Sequence, residues 1–186
     1  MITQSLKASA CIAVLPLVLV AIIEVPADAR ISRRPSTEAQ ELLVRQCIHH
    51  HSQGRGWLAR TLLALRQKEG GWIGAQVRNS NGSFDLGPMQ VNDWWVPRIA
   101  MLIDRDAISV RTWLTHDPCF NVGTAKWIFL SALAQSKDYW QSIGIYHSPT
   151  RWRQTAYARD VARLLKIMPR ASSAAAAGPN MPGTGD

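Results

Sequence analysis

Leu58, Leu62, Leu65 and Glu69 recur at i, i+4, i+7 and i+11, and Gly70-Gly71 follow at once. That spacing marks one face of a helix, so it predicts a helix over about 55–69 whose inward stripe ends in a carboxylate. A glycine just past the last periodic residue is a common helix stop. Two constraints follow. Other apolar elements must cover the leucines, and Glu69 must sit at the edge of whatever core they form.

The rest of the chain supplies covering elements of the same kind. Val122, Trp127 and Leu130 pattern one further helix, and Tyr157, Val161 and Leu164 pattern another. Ser36/Thr37 ahead of Glu38 is a start signal for the first. Helices are expected at about 38–51, 92–101, 107–115, 119–135, 138–147 and 151–167 besides the one ending at Glu69. No convincing alternating strand appears. Residues 70–91 read as a Gly/Asn-rich loop long enough to suspect a function. The expected architecture is therefore an all-α, single-domain fold over 38–168, with no internal repeat.

With 186 residues the chain can build one domain and hardly two. Residues 1–29 are expected to be a secretory signal peptide. Lys7 precedes an apolar run from Ala8 to Ile23, and Ala27-Asp28-Ala29 offers a small–x–small cleavage pattern. An uncleaved anchor is the alternative, but the run falls short of the ~20 residues of a spanning helix and Pro16 interrupts it. Residues 30–37 form a short basic leader. Residues 169–186, small and polar after Pro169, are expected to be a disordered tail.

Removing the signal peptide leaves two of the three cysteines, Cys47 and Cys119. In an exported, periplasmic protein an even pair favours a disulfide, two buried thiols being the alternative. The net charge of +8 loses one cation and two acids with the signal peptide and rises by one. The basic residues are scattered and no nucleic-acid module accompanies them, so charge alone argues weakly for DNA or RNA and better for an anionic wall polymer.

A carboxyl held on an apolar helix face is desolvated, which raises its pKa. A glutamic acid still protonated near neutral pH can protonate the leaving oxygen of a glycosidic bond. Glycosidases with two carboxylates place the second at ~5 Å as nucleophile or ~6.5–9.5 Å to activate water. Asp85 and Asp93 are the candidates here, and either could instead cap a turn. Glu69 could also be a solvated acid paired with Lys68 or Arg66.

The segment Asn79 to Trp95, NSNGSFDLGPMQVNDWW, resembles the lytic transglycosylase family with the lysozyme-like fold. In that family a helix-terminal glutamate is followed by a G-L-M-Q block and later by an A-Y-N block. Glu69, Gly87-Pro88-Met89-Gln90 and Ile145-Tyr146-His147 stand in those places. The likeness is strongest to small exported transglycosylases of conjugation, type IV and type III secretion machines. They share N-G-S-x-D-x-G-x-M-Q-[IV]-N, here Asn81 to Asn92, and D-P-C-F-N, here Asp117 to Asn121. The resemblance covers about residues 42–165. It departs at Gly70, where the family has serine, at Pro88 for leucine, and at His147 for asparagine.

The resemblance implies a peptidoglycan lytic transglycosylase that needs no cofactor or metal. Glu69 would protonate the oxygen between N-acetylmuramic acid and N-acetylglucosamine, then act as base toward the C6 hydroxyl of the same muramic acid. Gln90 would bond substrate, Tyr146 would position Glu69 or the acetamido group, and Met89 would line the cleft floor. Its partners would be glycan strands and components of a secretion or conjugation machine. Ser83 could contact sugar or close a turn, and Asn92 could bind substrate or cap a helix. One of Trp94 and Trp95 could stack on sugar while the other joins the core. His49-His50-His51 reads as surface, since consecutive helical residues point in different directions. A hydrolysing muramidase using Asp85, or a wall-binding component without catalysis, are the other readings.

Overall fold

The computed structural model describes residues 36–168. The expected signal peptide, most of the basic leader and the C-terminal tail lie outside the described residues. Seven α-helices among those residues make the fold α-rich, with one small sheet. They are α1 (Glu38–Ser52), α2 (Gly56–Glu69), α3 (Val96–Ile103), α4 (Ala107–His116), α5 (Pro118–Ser136), α6 (Tyr139–His147) and α7 (Arg151–Ile167).

Local chemistry sets the helix ends. Thr37 opens α1 with a capping box: its hydroxyl accepts from the Gln40 N–H, and the Gln40 side chain accepts from the Thr37 N–H. Asp117 opens α5 by accepting from the N–H groups of Cys119 and Phe120, with Pro118 in the first turn. Gly70 closes α2 in the left-handed region at φ 61°, its N–H bonding the Arg66 carbonyl.

The long helix α5 runs through the middle of the core and packs against α1, α4 and α6, while α7 covers α2 and α6. The leucine stripe points inward as its spacing requires. Leu58, Leu62 and Leu65 are fully buried together with Val122, Phe129 and Ile143. Each such side chain contributes about 2 kcal/mol by leaving water. A disulfide joins Cys47 on α1 to Cys119 at the start of α5, across 72 residues of sequence. Among the described residues no helix is long and apolar enough to cross a membrane.

The segment expected to be a structureless loop carries an antiparallel sheet in the order β1-β2-β3: β1 (Gln76–Arg78), β2 (Phe84–Leu86) and β3 (Val91–Asn92). Val77 pairs with Asp85, and Asp85 with Asn92. Strands of two or three residues are too short to show an alternating pattern, so the sequence offers no strand signal here. The helix expected at about 92–101 also begins later. Asn92 closes β3, Asp93–Trp95 form one 3-10 turn, and α3 starts at Val96.

Candidate active site

Glu69 is the last residue of α2 and is half-buried at the end of the leucine stripe. The Tyr157 hydroxyl, from α7, donates to Glu69 Oε1. Burial pushes the Glu69 carboxyl up from its usual 4.5 to about 7. The Tyr157 hydrogen bond opposes that rise, the Asp85 charge adds to it, and Lys68 opposes it. Neither cation considered as an ion-pair partner serves as one: Lys68 Nζ pairs with Asp160 at 2.6 Å, and Arg66 pairs with Glu41. Glu69 is therefore an acid that changes protonation near neutrality, held by a neutral phenol.

Tyr157 is itself buried, and burial, followed by the Glu69 charge, drives its pKa far above the ordinary phenol value. His147 stacks flat on it, with ring centroids 4.3 Å apart and planes 6° from parallel. Desolvation lowers the His147 pKa, partly countered by Asp85, so the ring is neutral at neutral pH. The residue standing where the resemblance has asparagine thus lays a flat ring on Tyr157, the phenol that bonds Glu69.

Asp85 sits in the middle of β2, and its charge acts on Glu69, Tyr146 and His147. Asn92, its cross-strand partner, donates from Nδ2 to Asp85 Oδ1 at 2.8 Å and to Ser83 Oγ at 3.0 Å. Asn92 Oδ1 also accepts from the Trp94 N–H at 3.0 Å, which caps the 3-10 turn. Asn92 therefore caps the turn, one of the two roles open to it, and fixes Asp85 as well. Ser83 closes the β1–β2 turn through bonds with Asn79 and Asn81. Asp93, the other candidate second carboxylate, is bound by Arg111 at 3.0 Å.

The turn Gly87–Gln90 joins β2 to β3 and packs on the end of α2. Gln90 is half-buried at φ 50°, and its Nε2 donates to the Gly87 carbonyl at 2.9 Å. Tyr146 donates to the Met89 carbonyl at 2.9 Å. Burial first, then the charges of Glu69 and Asp85, hold the Tyr146 phenol well above its ordinary pKa. Met89 is fully buried, so its side chain belongs to the core beneath the turn rather than to an open surface. Glu69, Asp85, Tyr146 and Tyr157 are coupled by charge and hydrogen bonding, with Gln90 and Met89 in the adjoining turn.

Three residues to which the sequence reading gave no part in supporting the turn hold this arrangement. Asn121, fully buried in α5, donates to the carbonyls of Leu86 and Leu114 at 2.9 and 2.8 Å and accepts from the Met89 N–H at 2.8 Å. Arg66 is buried and donates to the Pro88 carbonyl at 3.2 Å and to Ser36 Oγ at 3.1 Å. Gly71 lies so close to the turn that a Cβ there would come within 2.3 Å of the Gly87 carbonyl. A buried asparagine in an apolar helix and an arginine one residue past an inward leucine were the available signals.

Tryptophan distribution departs from a buried-core role, since none of the eight is fully buried. Trp94 is exposed, with the Arg98 guanidinium 3.2 Å above its ring, while Trp95 packs on the core between Trp94 and Trp127. His49 and His50 are exposed. His51 is half-buried, with Nε2 2.9 Å from the Cys119 carbonyl oxygen. Among the described residues no group of three His, Cys, Asp or Glu side chains is placed to hold a metal ion.

No protein-family model matches the chain. It is similar to Protein IpgF of Shigella flexneri, with 29% identity over 107 residues that span 55% of this chain and 67% of that protein.

Proposed function

We propose that this protein is an exported lytic transglycosylase that cleaves the glycan strands of peptidoglycan for a secretion or conjugation apparatus. The observation that carries the reading is Glu69: a desolvated acid with a pKa of about 7, ending a helix beside the Gly-Pro-Met-Gln turn. Half protonated near neutrality, it can give a proton to the glycosidic oxygen and then recover one. As the bond to the N-acetylglucosamine oxygen breaks, the carboxylate takes the proton of the muramic acid C6 hydroxyl. That oxygen closes on C1 to give the 1,6-anhydro product. Water is neither consumed nor released, and one carboxyl suffices. Tyr157 holds Glu69 in place, and Gln90 and Tyr146 supply the polar edge of the cleft. The transport setting and the periplasmic location rest on the motif resemblance.

Asp85 favours a second reading, because its charge is felt at Glu69. It would activate water and make the protein a hydrolysing muramidase. Mass spectrometry of products from purified wall separates the two, since hydrolysis yields a reducing muramic acid heavier by one water. Anhydromuropeptides from the wild type, abolished in a folded Glu69→Gln variant, are the expected result. Full activity in that variant would remove Glu69 from the mechanism. A wild type that releases no product would leave a wall-binding protein.

A further inference from the structure

A groove of about 330 Å³ runs from the end of α2 to the start of α7, lined by Lys68, His147, Trp152, Arg153, Tyr157 and Asp160. It adjoins the candidate acid, since Lys68 precedes Glu69 and Tyr157 bonds it. Trp152 is 69% exposed, and the Arg153 guanidinium stands 5.3 Å from its ring centroid. Asp160 is shared between Lys68 and Arg163, at 2.6 and 2.9 Å. Arg153 has no carboxylate partner among the described residues. The groove thus combines an open indole face with an excess of positive charge, and the mechanism uses neither.

Resting on the transglycosylase reading, the geometry points to a subsite for the acidic peptide that muramic acid carries on its lactyl arm. A carboxylate of that peptide pairs with Arg153, and its backbone lies on Trp152. Position favours the peptide over the bare lactyl carboxylate. Trp152 and Arg153 precede Tyr157 by five and four residues on α7, which places them about 6–8 Å further along the helix axis. An extended peptide covers that offset in two to three residues of roughly 3.3 Å each, whereas a lactyl carboxylate stays beside its sugar ring. Charge complementarity at a solvent-open rim sets preference rather than tight affinity.

The test is binding, so that it does not depend on cleavage. The Glu69→Gln protein is sedimented with three polymers: strands bearing peptides, strands stripped to the lactyl carboxylate by an amidase, and chito-oligosaccharide. Peptide-bearing strands are expected to bind about fivefold tighter than either other polymer. Arg153→Glu or Trp152→Ala, both at exposed positions, should erase that margin while leaving the circular dichroism unchanged. Equal binding of peptide-bearing and stripped strands overturns the assignment. So does a margin that survives both substitutions, or one lost equally on all three polymers. Failure of the enzymatic reading shows separately, as wild-type protein that releases no product yet keeps the groove-dependent margin.

Discussion

Replacing Glu69 by glutamine should stabilise the fold, and only at neutral to alkaline pH. The free carboxyl is half-protonated near pH 4.5, the folded one near pH 7, and burial is the main cause of the difference. At about 1.4 kcal/mol per pH unit, that gap corresponds to about 3 kcal/mol. The sign follows from linkage. A group whose pKa is raised in the fold contributes stability that is complete below the unfolded value and is lost as pH rises through the folded value. Wild-type stability should therefore fall between about pH 4.5 and 7, and flatten above it. Glutamine carries no charge, and its carbonyl can still accept the Tyr157 hydroxyl. The variant should match the wild type at pH 4 and exceed it by up to about 3 kcal/mol at pH 8.5. Urea denaturation of both proteins across that range measures the difference. A gap that does not change with pH, or a variant less stable at pH 8.5, would falsify the claim that Glu69 is strained by desolvation.

Two adjacent glycines should behave unequally. Gly71→Ala puts a methyl against the Gly87 carbonyl and should cost about 1–3 kcal/mol in thermal melts while displacing the turn. Gly70→Ala meets nothing within 4 Å and should cost only about 1 kcal/mol, for a side chain at positive φ. Asn121→Ala strands the Met89 N–H and two carbonyls, and should lower stability by about 2–4 kcal/mol in chemical denaturation. Tyr157→Phe removes the bond that lowers the Glu69 pKa. The alkaline limb of product release should then move to higher pH, and an unmoved limb would detach Tyr157 from the acid.

Sequence periodicity reaches as far as the forces that act along one helix. The stripe Leu58, Leu62, Leu65 and the glycine stop at Gly70 are local, and the observed helix α2 agrees with them to one residue. Glu69 follows from the same stripe, because an acid at i+11 shares its face. The sheet does not follow, since the pairing of Val77 with Asp85 and of Asp85 with Asn92 is fixed by turns rather than by alternating apolar residues. Arg66 and Asn121 were illegible for a different reason. Their partners at Pro88 and Met89 lie 22 and 32 residues away, and only tertiary approach brings them together.

Those long-range bonds explain how a non-helical turn can be buried beside the acid. Gly87, Pro88 and Met89 are all buried, where an unpaired backbone polar group would cost about 1–3 kcal/mol. The Gly87 N–H bonds the Ala75 carbonyl, and its own carbonyl accepts from the backbone and side chain of Gln90. Proline at 88 has no N–H to satisfy, and its carbonyl takes Arg66. The Met89 N–H goes to Asn121 and its carbonyl to Tyr146. Elements α2, α5 and α6 therefore each supply one side chain to the turn. Proline in place of the leucine of the motif it resembles removes the one donor that this set of partners does not serve. Pro88 is thus a departure that the turn accommodates, and the bonds of Gln90 to the Gly87 carbonyl do not depend on a leucine there.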